Sequence, residues 1–255
     1  MHESSMKRME WFARKFEQDL AQENVLDVGS YDVNGSYRNI FESIKAKYKG
    51  LDMENGPNVD IVPKSTYNWR EISDDTYKAV ISGQAIEHIE FFWLTMEEIV
   101  RITKEHGLIC IIAPNGFKEH RYPVDCWRFF SDGMVALARY FELEIIHCHT
   151  NCAPDTNNFE WYSSDCADTM LIARKPYKGK AKKLDLEGYK CKPINQKDIL
   201  GGFKSYEEHL RNTNVERKEK DPTRDGRRET SMKYRVKSGI REIWSKTKKA
   251  IRSIR

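Results

Sequence analysis

A chain of 255 residues with 39% hydrophobic and 32% charged side chains can hold one α/β domain of ordinary size with sequence to spare. No stretch approaches the ~20 uninterrupted apolar residues of a transmembrane helix, and the opening MHESSMKRMEWF lacks the apolar core of a secretion signal. The net charge of +4 is unevenly placed: residues 233–255 carry nine Lys or Arg against one acid, Glu242, so that segment is +8 and the remainder −4.

A mildly acidic body argues against a broad nucleic-acid surface on the fold. The six cysteines (110, 126, 148, 152, 166 and 191) form no CxxC pair, which predicts reduced thiols and a cytoplasmic location.

Residues 4–20 read as an amphipathic helix, with Met9, Phe12, Ala13, Phe16 and Leu20 at helical spacing. A strand over Val25–Val28 runs into a turn carrying Gly29, Ser30, Asn34 and Gly35, and Ser36–Ser43 follows as a helix. Such a strand, glycine-bearing loop and helix is where α/β proteins hold nucleotides, because glycine admits close backbone approach and the helix start offers free N–H groups. The glycine spacing departs from the dinucleotide fingerprint. Further strands are predicted over Tyr48–Asp52, Val59–Val62 and Tyr77–Ser82, then a helix over Glu90–Glu105 and a continuous apolar strand over Leu108–Ala113.

After Pro114 a long connection, NGFKEHRYPVDCWRFF, leads to a helix that Ser131 and Asp132 can cap. Phe141–Cys148 and Asp168–Arg174 are the last candidate strands. His147, Cys148, His149 and Cys152 have metal-ligand chemistry, but strand alternation sends 147 and 149 to one face and 148 to the other, so no metal centre is expected. Residues 176–232 read as a charged, partly disordered linker. In residues 233–255, Val236, Ile240, Ile243, Trp244, Thr247, Ile251 and Ile254 share one face of a helix otherwise lined by Lys and Arg, a pattern suited to an anionic membrane surface. A helix docked on the protein's own acidic body or on a partner is the other reading.

The chemistry-bearing residues converge. Asp27 ends the first strand, and Asp52 ends the second about 25 residues later, where an acid can take both hydroxyls of a ribose. The segment SGQAIEH ends the strand at Tyr77–Ser82, beside the apolar strand and its long loop. Carboxyl ends of adjacent parallel strands form one crevice, and these residues fit an adenosine-containing ligand there.

Together DVGSYDVNGSYR, the acid of YKGLDM, VISGQAIEHIEFFW and GLICIIAPNG resemble the class I S-adenosylmethionine-dependent methyltransferases, in particular the small-molecule, type 11-like group whose fourth strand ends in an EH pair. HRYPVDCWRFFSDGM is similar to a subgroup associated with bacterial surface-polysaccharide biosynthesis. The resemblance spans about residues 20–175 and implies a Rossmann-like, seven-stranded, mostly parallel sheet with an antiparallel last strand and helices on both faces, followed by the charged C-terminal extension.

It further implies that Asp27, Gly29, Ser30 and Gly35 surround the methionine portion of S-adenosylmethionine, that Asp52 takes the ribose, that Met53 flanks the adenine, and that backbone at Gly83 and Gln84 holds the ammonium end. Tyr31 and Val33 depart from the small residues usual in that loop.

A sulfonium is already a strong electrophile, so alignment and desolvation carry most of a methyl transfer. A hydroxyl acceptor needs a base, for which His88, His120 and Asp125 are candidates. A phosphate or carboxylate acceptor needs none, and Arg121 and Arg128 then orient it. Glu87 and Tyr122 are also placed with the acceptor. The bland readings are a helix-capping Glu87-His88 pair, a salt-bridged surface loop, and an aromatic lid of Tyr122, Trp127 and Phe129. The expected activity is methyl transfer to a hydroxyl, or a phosphate, of a saccharide or sugar phosphate in surface-polysaccharide biosynthesis, by an enzyme recruited to the inner membrane through residues 233–255. RNA or protein methylation, and a non-catalytic binding module, are the alternatives.

Overall fold

The computed structural model describes residues 3–150, 167–177 and 187. The expected basic helix over 233–255, nearly all of the linker over 176–232, and Cys152 lie outside the described residues.

Six strands form one sheet in the order β2-β1-β3-β4-β6-β5: β1 (Asn24–Val28), β2 (Lys47–Leu51), β3 (Tyr77–Gly83), β4 (Thr103–Gly116), β5 (Glu144–Thr150) and β6 (Ala167–Arg174). The pairs β1–β2, β1–β3 and β3–β4 are parallel, while β6 runs antiparallel to both β4 and β5. The antiparallel last strand is as expected. Val59–Val62, expected as a strand, contributes only an isolated bridge between Leu51 and Ile61, so six of the seven expected strands are formed among the described residues. A side chain is the reason: the Asp60 carboxylate accepts the Gly50 N–H at 2.7 Å, a donor that a strand partner's carbonyl would otherwise take. Pro63, with no N–H, closes the segment.

The apolar strands are buried on both faces, so their residues alternate between two cores. Leu26, Val80, Ile109 and Ile111 meet one core with Met96, Ile99, Met134 and Val135, from helices α4 (Phe92–Ile102) and α5 (Ser131–Tyr140). Val25, Ala79, Ile81, Cys110 and Ile112 meet the other with Met9, Phe12, Leu20 and Phe41, from α1 (Glu3–Lys15), α2 (Glu17–Leu20) and α3 (Arg38–Ser43).

Three helix expectations are adjusted. The N-terminal helix is interrupted at Phe16, although its whole apolar stripe is buried. Helix α4 stops at Ile102, and Thr103 enters β4 at once, its hydroxyl donating to the Ile99 carbonyl and its backbone paired with Tyr77. Helix α5 has no side-chain cap; Ser131 is its first helical residue, and both its N–H and its hydroxyl meet Thr150 Oγ1.

Candidate active site

At the carboxyl end of β1 the chain turns sharply. Gly29 sits at φ +81°, and a Cβ there would lie 2.2 Å from the Ala85 Cβ, so the position demands glycine twice over, for its dihedral and for the close approach of the two loops. The N–H groups of Gly29 and Ser30 both donate to the Leu51 carbonyl, which ties the turn to the end of β2. Ser30 is buried and its carbonyl accepts from Asn58 Nδ2 at 2.8 Å, while the Gly35 N–H donates to Asp32 Oδ1.

Asp27 is 2% exposed, and Tyr48 donates its hydroxyl to Oδ2 at 2.5 Å while Oδ1 has no hydrogen-bond partner. Burial raises its carboxyl to about 7, against the pull of the Tyr48 bond. Just past the end of β2, Asp52 accepts the N–H groups of Tyr31 at 3.0 Å and Met53 at 2.7 Å, which fixes its carboxylate beside exposed Met53. Gly83 ends β3 against Tyr37, whose hydroxyl is 2.6 Å from Ser5 Oγ. Gln84 follows at φ +58°, its amide donating to Asp168 Oδ1 at 3.0 Å, and the other Asp168 oxygen accepts from Ser4 Oγ. All eight expected cofactor positions therefore lie at the carboxyl ends of β1, β2 and β3.

A second group stands beyond Gln84, where a 3-10 turn over Ile86–His88 continues the chain. Glu87 is 0% exposed, neither of its carboxylate oxygens has a hydrogen-bond partner, and burial raises its carboxyl to about 8. Its backbone carbonyl accepts the N–H groups of Cys126 and Trp127, which pins the long loop to the sheet. His88 Nδ1 lies 2.5 Å from the Val124 carbonyl, so a proton there leaves the Nε2 lone pair facing Glu87 Oε1 at 3.7 Å. Burial lowers the His88 pKa and keeps the ring neutral. The His120 ring stands edge-on to it, with centroids 4.9 Å apart.

The remaining loop residues divide. Asp125 accepts from both Arg128 nitrogens and from the His120 N–H, and the Arg128 bond holds its carboxyl well below the usual range. A carboxylate so engaged is a poor proton acceptor, and it serves as the clasp of the loop. Arg128 also donates to the carbonyls of Trp127 and Lys118. Arg121 pairs with Glu119 on the surface and is not brought to the crevice, while Tyr122 is exposed, with its ring 6.1 Å from that of His88. Cys148 packs in a core, and His147 and His149 neighbour each other with rings 6.2 Å apart, as the alternation predicts.

Tyr48, Tyr37, Asp168 and Ser4 were not legible as site residues. Tyr48 holds Asp27, Tyr37 backs Gly83, Asp168 holds Gln84 and Ser4 holds Asp168, yet none carries a local signal beyond an ordinary strand or helix position.

No protein-family model matches the chain, and no curated protein matches it in sequence. Solved structures do match. The 1,6-didemethyltoxoflavin-N1-methyltransferase of Burkholderia thailandensis, solved with 1,6-didemethyltoxoflavin and S-adenosylhomocysteine, matches at a TM-score of 0.53 and 12% identity, over 68% of this chain and 79% of its own. A S-adenosylmethionine-dependent methyltransferase of Archaeoglobus fulgidus matches at 0.48 and 14% identity, over 67% of this chain and 95% of its own. Another, from Mesorhizobium loti, matches at 0.48 and 13%, over 66% and 98%. With its parallel strands followed by an antiparallel β6, the chain has the Rossmann-like α/β fold of the Burkholderia methyltransferase.

Proposed function

We propose that the protein binds S-adenosylmethionine in the crevice at the ends of β1, β2 and β3 and transfers its methyl group to a hydroxyl of a saccharide. The observation that carries this reading is the placement of Asp52 at the end of β2, its carboxylate held by two backbone N–H groups beside the glycine turn. A carboxylate so placed suits the two hydroxyls of a ribose. Asp168, buried, adds acidic character next to a ligand with a sulfonium and an ammonium group.

In the transfer, the acceptor oxygen gives its proton to a base and its electron pair forms the new bond to the methyl carbon. The carbon–sulfur bond breaks with its pair left on sulfur, which yields a neutral thioether. Neutral His88, its Nε2 turned toward Glu87 and its ring fixed through Nδ1 on the Val124 carbonyl, is the base we assign to this step. The exposed aromatic residues Phe91, Trp93, Tyr122 and Trp127 offer flat apolar surfaces for a sugar ring. Residues 233–255, read from sequence as a basic amphipathic helix, bring the enzyme to an anionic membrane.

The cofactor reading is tested by calorimetry. Wild type is expected to bind S-adenosylmethionine, and Asp52→Ala to bind it about 10- to 100-fold more weakly, the effect of losing one to two charge-assisted hydrogen bonds. Equal affinities would remove the assignment of Asp52.

A further inference from the structure

Glu87 is an anomaly in the fold. A carboxylic acid at 0% exposure with no hydrogen bond to either oxygen is costly to bury, and neither the sheet nor the loop supplies it a donor. The Arg128 guanidinium, clasped by Asp125, acts on it only through space, and His88 faces it with a lone pair. With its proton on Nδ1 toward the Val124 carbonyl, His88 turns the Nε2 lone pair to within 3.7 Å of Glu87 Oε1. His120 repeats the arrangement, since its Nδ1 lies 3.1 Å from the Lys118 carbonyl and its Nε2 is left as an acceptor. One ligand atom from each of Glu87, His88 and His120 lies within 4.8 Å of the others.

Three acceptors gathered within 4.8 Å, one a buried carboxyl and two of them half-buried imidazoles oriented by backbone carbonyls, form the donor set of a metal ion. We propose that Glu87, His88 and His120 bind a first-row divalent cation such as Zn²⁺ or Co²⁺, with the remaining coordination positions facing the acceptor side of the crevice.

The chemistry of the donors selects the ion. Two neutral nitrogens and one carboxylate suit a borderline-soft cation better than the oxygen-seeking Mg²⁺ or Ca²⁺. Around an ion with bonds of about 2.1 Å, tetrahedral ligands stand roughly 3.4 Å apart, so separations of up to 4.8 Å close by about 1.4 Å at most on binding. The element that moves is the loop bearing His120, because Glu87 and His88 are fixed by the end of β3. Three protein ligands and an open position is the pattern of a catalytic ion. Resting on the methyl-transfer reading, the inference narrows the acceptor to one that offers a hydroxyl oxygen to the ion; with its Nε2 on the ion His88 is no longer the base, and the hydroxyl, its pKa lowered by the ion, loses its proton to water before its oxygen attacks the methyl carbon. No metal centre was expected from sequence, and this one is not a local pattern, because Glu87-His88 and His120 are far apart in the chain.

The test uses the full chain after treatment with a chelator, titrated with Zn²⁺ in a calorimeter and with Co²⁺ in a visible-absorption cell. One equivalent of each ion is expected to bind, and Co²⁺ is expected to develop the intense visible bands of a low-symmetry site. Glu87→Gln and His120→Ala are each expected to weaken Zn²⁺ binding by about 100-fold or more, while His147→Ala leaves it unchanged. His120 lies on the partly exposed loop, so His120→Ala carries the test if Glu87→Gln does not fold. Absence of stoichiometric binding to wild type overturns the proposal, and so does wild-type affinity in His120→Ala. S-adenosylmethionine is titrated into the metal-free protein in parallel. Cofactor binding without metal binding removes this inference alone, and metal binding without cofactor binding removes the methyl-transfer reading and keeps the ion site.

Discussion

Asp27 ties the cofactor crevice to the stability of the domain. Its carboxyl is raised from 3.8 to about 7, chiefly by burial, so the folded state keeps a proton that the unfolded chain releases near pH 4. The folded state binds more protons across that window, and the contribution of Asp27 to stability is full below about pH 4 and declines as pH rises through 7. Asparagine has nothing to release. The stability of Asp27→Asn relative to wild type, from urea unfolding, is therefore expected to improve by about 3 kcal/mol between about pH 5 and pH 8. A difference that does not change with pH would show that the side chain is not buried as a neutral acid.

Gly83 is a second residue where the outcome is decided by space. A Cβ there would lie 2.1 Å from Tyr37 Oη, and Tyr37 is 1% exposed and held by Ser5, so it cannot swing away. Gly83→Ala is expected to lower stability by about 2 kcal/mol, and pairing it with Tyr37→Phe to recover part of that loss in the same urea experiment.

At the scale of elements, the loop over residues 117–130 has two halves held differently. Its second half is bonded to the sheet through the Cys126 and Trp127 N–H groups on the Glu87 carbonyl and through Phe129 on the Pro114 carbonyl. Its first half depends on Asp125, which binds Arg128 and the His120 N–H. Asp125→Ala is accordingly expected to speed amide hydrogen exchange from residue 118 to 124 while residues 126 to 129 stay protected, at a cost of about 2 kcal/mol in stability. Equal acceleration in both halves would show that Asp125 holds the whole loop rather than its first half.

The same loop shows what sequence could and could not reveal. The glycine turn, Asp52 and the Gly83–His88 segment were legible because each is a local pattern at the end of a strand, and parallel topology then gathers strand ends without further information. The approach of His120 to His88 was not legible, since it depends on the loop folding back onto the Glu87 carbonyl. Nor was the reach of Ser4 to Asp168, two residues 164 apart in sequence. Val59–Val62 misled for a related reason: its apolar character matches a strand, while the Asp60 side chain takes the hydrogen bond that would have made it one.

On the scale of the whole molecule, the charge is divided between a body of −4 and a terminal segment of +8. Among the described residues no helix is long and apolar enough to cross a membrane. The nine basic residues of 233–255, interleaved with Ile, Val and Trp at helical spacing, each contribute about 1 kcal/mol when near an anionic bilayer. Such attraction depends on charged lipid and is screened within a Debye length, whereas docking on the protein's own acidic body would be indifferent to lipid. The full chain is therefore expected to sediment with vesicles containing phosphatidylglycerol and to stay in solution with pure phosphatidylcholine. Binding should fall as salt is raised, and a chain ending at residue 232 should lose it while keeping its affinity for S-adenosylmethionine. Retention of vesicle binding by that shortened chain would move the contact to the body of the protein. Salt-steep binding of the full chain to RNA, with none to vesicles, would favour a nucleic-acid acceptor over a saccharide carried at the membrane.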